Sequence, residues 1–415
     1  MDLLTNISHT ASMFDINNIY NTRELKRFYL PTKILIGQNA RNILFEILPQ
    51  QSKGVSLLIV VDHYFKQDNF IKNILDYKFA SLVCKVVVER EPDYSFINKQ
   101  IKSLPKKVDY IIAVGGGSTI DTAKAILAHK KYGTSRQIGY GSNRFIKELP
   151  VKQAPVFIAL PTTAGSGSEV SRYYLIFDEK SKKKIVNRSW SVCPSFTILD
   201  PYFLNKASVK LLIYGSFDAF VHLWETYICR YERSAINDMF ALEGITIILS
   251  IIPSLFVKTK LSVDQLLKLQ YCAMLGGIAL SNTRTGIIHD AGEALSAQTS
   301  LSHPETLFIF FENAIRQYYG KIRGKESLLI SRLNSISKCA DIATVKDIIL
   351  LWKKLFKQHG LEEQIRNKTK MNKINIRDIV DQIMSDKVLI NKESPVKLNR
   401  DKVVNLVKRS LQDYT

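Results

Sequence analysis

Four residues of this chain could together hold a metal ion: Asp218, His222, His289 and His303. The first two stand in "GSFDAFVHLWETY", the other two in "GIIHDAGEALSAQTSLSHPETL". The chain has 7 histidines, and three fall in this set. One carboxylate with three imidazoles is a mixed oxygen and nitrogen donor set that suits Fe2+ or Zn2+ and does not choose between them. A spacing of four puts Asp218 and His222 on one face of a helix, which is what two ligands on one helix need. A D-x3-H pair is also common among ordinary core and surface residues. The pattern therefore gains meaning only if the rest of the chain supplies a matching site.

The elements that must position these residues change character near residue 200. Residues 1–27 read as a polar extension without a clear period. From Phe28 the pattern is α/β. "SLLIVVD" (56–62) and "ASLVCKVVVE" (80–89) are continuous apolar runs, as expected of buried parallel strands. "VDYIIAVGGGSTIDTAKAILAHK" (108–130) reads as strand, glycine turn and helix. "APVFIALPTTAGSGSEVS" (154–171) reads as a strand feeding a loop rich in Gly, Ser and Thr. Alternating strands and helices imply a parallel sheet with crossovers. Beyond Asp200-Pro201 helical patterns take over, at 206–229, 234–257, 264–281, 285–297, 304–319, 325–339, 343–358 and 400–412. The expected organisation is an extension over 1–27, an α/β domain over 28–200 and an all-helical domain over 201–415.

The glycine turn could cradle a dinucleotide. Gly115-Gly116-Gly117-Ser118 would let the backbone turn sharply where a helix begins, and a helix N-terminus suits a pyrophosphate. Ser118 and Asp121 also have the spacing of a capping box, so part of the motif could simply start the helix. The loop Pro161-Thr162-Thr163-Ala164-Gly165-Ser166-Gly167-Ser168 adds backbone and hydroxyl donors at the same sheet edge, where open α/β sheets bind ligands. Asp62 ends an earlier strand at that edge. A carboxylate there binds ribose hydroxyls and repels a 2'-phosphate, which favours NAD over NADP; the alternative is a plain turn residue.

Composition narrows the other possibilities. At 415 residues, 46% hydrophobic and 23% charged, the chain can bury a large core. No stretch approaches the ~20 apolar residues of a membrane span; the most apolar window, 246–257, is shorter and contains Pro253. The N-terminus lacks the pattern of a secretory signal. Five scattered cysteines without a CxxC pair fit reduced thiols, so a cytoplasmic protein is expected. The net charge of +20 raises the question of nucleic acid. The lysines are dispersed, however, and the local runs at 182–184 and 366–373 are short. A solvated basic surface is the simpler reading.

Taken together, "VGGGSTIDTAKAI", "LPTTAGSGSEVS", "ILDP", "DAFVH" and His289 with His303 resemble the iron-containing (group III) alcohol dehydrogenases. The resemblance covers about residues 28–415, with the pieces in the right order. It implies a dehydroquinate synthase-like fold, with a Rossmann-like α/β domain followed by an all-α domain. It further implies NAD(P) beside one divalent metal, Fe2+ or Zn2+, and hydride transfer between the nicotinamide and an alcohol or carbonyl compound, which Arg284 and Glu293 suggest to be polar or anionic. Asp218, His222, His289 and His303 match the four metal ligands. Gly116, Gly117 and Ser118, with Asp121, match the pyrophosphate turn and its helix. Asp62 matches the acidic position linked to NAD preference, and Thr162, Thr163 and Ser171 the nicotinamide-side loop. Lys184 matches a cofactor-contacting lysine, with Lys182 and Lys183 as neighbouring registers.

Two departures from the family pattern bear on the chemistry. Glu293 stands where the family often has a further histidine. It could exchange a proton, hydrogen-bond substrate, join the metal's shell, or orient a ligand histidine. Arg284 stands where a small residue is usual. Its planar fork could bind a carboxylate or phosphate, or it could form a salt bridge to a helix neighbour. The expected partner is a small alcohol or aldehyde, with neither nucleic acid nor membrane, and the expected assembly a homodimer. Two other readings remain open here: a dehydroquinate synthase-like lyase or sugar-cyclising enzyme with the same metal and NAD site, and a catalytically silent basic protein that binds nucleic acid.

Overall fold

The computed structural model describes residues 28–50, 54–135, 155–257, 260–336, 339 and 341–414. The expected N-terminal extension over 1–27 lies outside them. The chain forms two compact units. One comprises Leu30–Ala219 with Thr259–Ser281; the other holds Phe220–Lys258 and Asn282–Thr415, together with Phe28 and Tyr29.

The first unit alternates strand and helix. In chain order it contains β1 (Lys33–Ile36), α1 (Leu44–Ile47), β2 (Val55–Asp62), α2 (Asn69–Leu75), β3 (Ala80–Val88), α3 (Tyr94–Ser103), β4 (Tyr110–Gly115) and α4 (Gly117–Tyr132). Then come β5 (Val156–Pro161), β6 (Tyr173–Asp178), β7 (Lys183–Arg188), β8 (Phe196–Leu199), α5 (Pro201–Leu204) and the first half of α6 (Val209–Ile228). Six strands make a parallel sheet in the order β1-β8-β5-β4-β2-β3, and β6 with β7 forms a separate antiparallel hairpin. From β2 the chain steps outward to β3 and then returns to β4 on the other side of β2, so the strand order reverses between β2 and β4. That reversal, at the carboxyl ends of the strands, is where open α/β sheets bind ligands.

The continuous apolar runs have a physical reason. Leu58, Val60, Ile111, Ala113, Phe157 and Ala159 pack on one face of the sheet with Ile120, Ala123 and Ile126 of α4. Leu57, Ile59, Val61, Ile112, Val114, Ile158 and Leu160 pack on the other with Leu44, Ile71 and Phe203. Alternate residues face opposite sides, so a strand covered on both sides must be apolar throughout.

The second unit takes up α7 (Ala235–Phe256), and α8 (Val263–Asn282) belongs almost wholly to the first. The second unit then continues through α9 (Ile287–Ser296), α10 (His303–Tyr318), α11 (Arg323–Asn334), α12 (Val345–Gln358), α13 (Leu361–Lys370), α14 (Ile376–Ser385) and α15 (Arg400–Gln412). One expectation is corrected here. Helix α7 has 22 residues and, by length and composition, is able to cross a membrane, alone among the described helices. The window 246–257 is only its C-terminal half. Ser234 caps its start, Pro253 lies inside it, and Ala241, Ile245, Ile248, Leu249 and Ile252 are buried as in the core helix of a folded unit.

Candidate active site

The glycine turn forms as its sequence requires. Gly116 is the N-cap of α4 in extended conformation, and no side chain caps the helix. By contrast Asp68, Asp93 and Asp200 each cap the helix that follows them. The leading amides of α4 thus stand at the positive end of a 16-residue helix, the arrangement that receives phosphate. The capping-box reading of Ser118 and Asp121 does not hold: the N-cap is Gly116, and the Asp121 oxygens accept from Ser168 Oγ at 2.6 Å and Leu175 N at 2.9 Å. Burial raises the Asp121 pKa, and Lys124 opposes that shift.

The loop after β5 touches both chemical halves of the sequence pattern within the first unit. Thr162 N donates to Gly115 O at 3.1 Å. A β-carbon on Gly116 would stand 3.1 Å from the Thr163 methyl, and one on Gly117 3.1 Å from Ser166 Oγ. On its other side, a β-carbon on Gly165 would lie 3.0 Å from Asp218 Oδ2 and 3.1 Å from the Gly215 backbone. A side chain at Gly165 would press on α6 at these distances, so glycine suits the close approach of the loop. The loop is therefore a spacer of fixed thickness between the dinucleotide turn and the first metal-ligand candidate.

Lys124, which the sequence reading passed over, holds this loop from beneath. Its ammonium is fully buried and shares its three N–H groups among Ser168 Oγ (3.0 Å), Ser171 O (2.8 Å), Ser171 Oγ (3.2 Å) and Tyr173 O (2.7 Å). Burial lowers the Lys124 pKa, while Asp121 and Glu169 oppose that shift. Glu169, 2% exposed, is pushed up to about 7, chiefly by burial. The Asp121 carboxylate and the Ser171 hydroxyl are engaged in this network. The "DTAK" spacing, three residues on one helix turn, was the available signal.

The other expected cofactor residues are more dispersed. Asp62 sits at the end of β2 and accepts from Tyr64 N at 2.9 Å, capping a short 3-10 turn over His63–Phe65. Its side chain is 31% exposed. Lys184 lies in β7 and pairs with Glu91 at 2.8 Å. Lys182 occupies a left-handed turn between β6 and β7, and Lys183 is exposed.

At the metal-ligand candidates, Asp218 and His222 lie one turn apart on α6. Asp218, His222 and His289 are all buried, and each offers a donor atom within 4.8 Å of the others. The His222 and His289 rings stack with centroids 4.4 Å apart, and the His303 ring, on the first residue of α10, is 5.3 Å from that of His289. A carboxylate oxygen and clustered imidazole nitrogens are the donors that a divalent iron or zinc ion takes, so the residues fit such an ion.

Glu225 contacts one member of this cluster, His289, and is another omission of the sequence reading. It lies on α6 one turn beyond His222. Its Oε2 is 2.7 Å from His289 Nδ1 and accepts from Gly286 N at 2.8 Å, and its Oε1 accepts from Ile288 N at 2.6 Å. The signal was the extended pattern D-x3-H-x2-E, three residues on one helix face.

Glu293 and Arg284 have different surroundings. Glu293 is half-buried on α9, one turn after His289. The Arg284 guanidinium is engaged by two acids, Nη2 with Asp386 Oδ2 at 2.7 Å and Nε with Glu393 Oε1 at 2.8 Å. Neither acid is a helix neighbour of Arg284: Asp386 lies 102 positions later in the chain. Neighbouring Asp290 is pushed well above the carboxylate range by burial, with Glu293 and Asp386 adding like charge and Arg284 opposing them.

Residues 31–201 match the family described as iron-containing alcohol dehydrogenase, and residues 212–411 the C-terminal part of the Fe-containing alcohol dehydrogenase family. The chain is 27% identical to the 4-hydroxybutyrate dehydrogenase of Clostridium kluyveri, over 77% of this chain and 83% of that one. It is 25% identical to the NADPH-dependent butanol dehydrogenase of Clostridium saccharobutylicum, over 91% and 96%. In fold it is similar to the sulfoacetaldehyde reductase of Bifidobacterium kashiwanohense solved with NAD+, with a TM-score of 0.75 at 19% identity over 93% of this chain and 98% of that one.

Proposed function

The chain belongs to the iron-containing alcohol dehydrogenase family, and from that premise we propose how its own residues share the work. It is a metal-dependent, NAD(P)-linked alcohol dehydrogenase, an oxidoreductase acting on an alcohol or its carbonyl counterpart. The observation that carries the proposal is the loop 162–168, which lies against the glycine turn on one side and Asp218 on the other.

Asp218, His222, His289 and His303 hold the metal. The spacing of the first three donors and the nearness of the His303 ring support this. Gly116, Gly117 and Ser118 receive the pyrophosphate at the uncapped start of α4. Thr162 and Thr163 line the nicotinamide side, and Asp62 takes the adenosine ribose and favours NAD. Asp121 and Ser171 fix the loop through Lys124, and Lys184 braces the hairpin through Glu91. Residues 28–200 are the cofactor part and 201–415 the metal and substrate part.

When bound, the metal supplies Lewis acidity toward the substrate oxygen and the nicotinamide takes or gives the hydride. Glu293 moves the proton: its carboxylate accepts the hydroxyl proton in oxidation and returns it in reduction. Arg284 acts by position, because Asp386 and Glu393 already offset its charge. Relatives named for 4-hydroxybutyrate and sulfoacetaldehyde handle acidic compounds and another handles butanol, so the substrate is a polar alcohol or aldehyde whose charge the panel below decides. The enzyme is a cytoplasmic homodimer that needs neither nucleic acid nor membrane; light scattering tests the dimer.

The deciding experiment is NADH oxidation against neutral and acidic aldehydes, using chelated protein with Fe2+ or Zn2+ restored. Turnover should vanish on chelation and return with one of the two ions. Turnover indifferent to chelation would refute the proposal.

A further inference from the structure

We infer that Glu225 is a positioning residue for the metal centre, one carboxylate that both starts helix α9 and selects the nitrogen that His289 offers. The inference rests on the reading of His289 as a metal ligand. Glu225 is 2% exposed and His289 equally buried, so no bulk water competes for these groups. A carboxylate can only accept hydrogen bonds, so the proton in the 2.7 Å contact belongs to His289 Nδ1. A neutral imidazole carrying its proton on Nδ1 keeps its lone pair on Nε2, which is then the nitrogen it offers to a metal.

The same carboxylate solves a second problem. The N-cap of α9 is Gly286, which has no side chain to cap the helix. Glu225 reaches over from α6 and accepts from the Gly286 and Ile288 amides, at 2.8 and 2.6 Å. Two amides at the positive end of a helix are partners that suit a carboxylate. Gly286 is required for that approach. A β-carbon there would lie 2.8 Å from Oε1, closer than such atoms tolerate.

The arrangement ties three functions to one rigid face. Asp218, His222 and Glu225 follow one another at spacings of four and three along α6, so they share a side of the helix. That helix therefore carries two ligands and the group that orients a third on α9. The start of α9 and the tautomer of its histidine are fixed by the same two oxygens. A purely structural cap would be indifferent to the imidazole.

The test uses full-length protein labelled with 15N-histidine. In the metal-free wild type, the His289 signals, identified by their loss in His289→Ala, should show a protonated Nδ1 and a bare Nε2. Glu225→Gln keeps the size but presents an amide that can donate, so the ring should move toward the Nε2-protonated tautomer. Its Zn2+ affinity, measured by chelator competition, should fall about 10- to 100-fold. Gly286→Ala, which displaces the carboxylate without removing its charge, should weaken Zn2+ in the same direction. Unchanged tautomer and affinity in Glu225→Gln would overturn the role of Glu225. If His289→Ala meanwhile loses Zn2+, the metal-site reading stands alone; if His289→Ala binds Zn2+ like wild type, that reading itself falls. Should Glu225→Gln not fold, the wild-type spectrum decides by itself, because a neutral His289 with its proton on Nε2 and none on Nδ1 is incompatible with the inference.

Discussion

Removing a single ligand asks more of the cluster than removing a neighbour. His289 supplies one of three donors within 4.8 Å, so His289→Ala should lower bound metal and abolish turnover; full metal content by elemental analysis would refute its assignment. Arg284→Ala is expected to affect neutral and acidic aldehydes equally, since Asp386 and Glu393 already occupy the guanidinium. A KM that rises only for acidic aldehydes would return Arg284 to the substrate. Asp62→Gly should erode the preference for NAD over NADP, read from the ratio of kcat/KM values for the two, even though Oδ1 is engaged by the Tyr64 amide. These residues differ in how legible they were. Asp218 and His222 could be paired from the sequence because one helix carries both. Glu225 shares that helix face through D-x3-H-x2-E, but its partners are amides and a ring 61 to 64 positions later, and nothing local names them.

Among elements, those read correctly are those whose surroundings repeat along the chain. β2, β4 and β5 are covered on both faces, and that makes each an unbroken apolar run. β7 reads KKIVNR, polar at both ends and without alternation in burial, and β6 alternates only over its first four residues, so the hairpin escaped notice. Helix α13 buries only Leu361, Ile365 and Thr369, too thin a stripe to stand out among its charges. The junction of α4 with the loop after β5 was hard to read for another reason: the DTAK spacing does not say that the lysine turns inward. Lys124 satisfies four oxygens there and faces Asp121. Lys124→Met leaves those groups buried without their cation, a loss of about 3 to 5 kcal/mol by comparison with other broken buried pairs. The loop it anchors lies against the glycine turn, so surviving activity should show a raised KM for NAD with a smaller change in kcat. Urea unfolding and a cofactor titration check the two parts; wild-type stability would show that the network contributes little.

At the scale of the whole molecule, the same network should appear in how stability depends on pH. Glu169 ordinarily titrates near 4.5, and burial pushes it up to about 7 in the fold. Between those values the unfolded chain has released the Glu169 proton while the folded chain still holds it. Protons bound preferentially by the folded state make stability fall as pH rises. The contribution is therefore complete below about pH 4.5, is lost progressively up to about pH 7, and is constant above, amounting to at most about 3 kcal/mol at 1.36 kcal/mol per pKa unit. The chain's net charge of +20 adds its own pH and salt dependence, as do all the other titrating groups. Those contributions are common to a variant that changes Glu169 alone, so the difference isolates it. Glu169→Gln keeps the size and stays neutral. Its stability relative to wild type, from urea unfolding at matched ionic strength, should improve between pH 5 and pH 8. A difference that stays constant across that range would mean that Glu169 is ionised in the fold and that Lys124, more than burial, sets its charge.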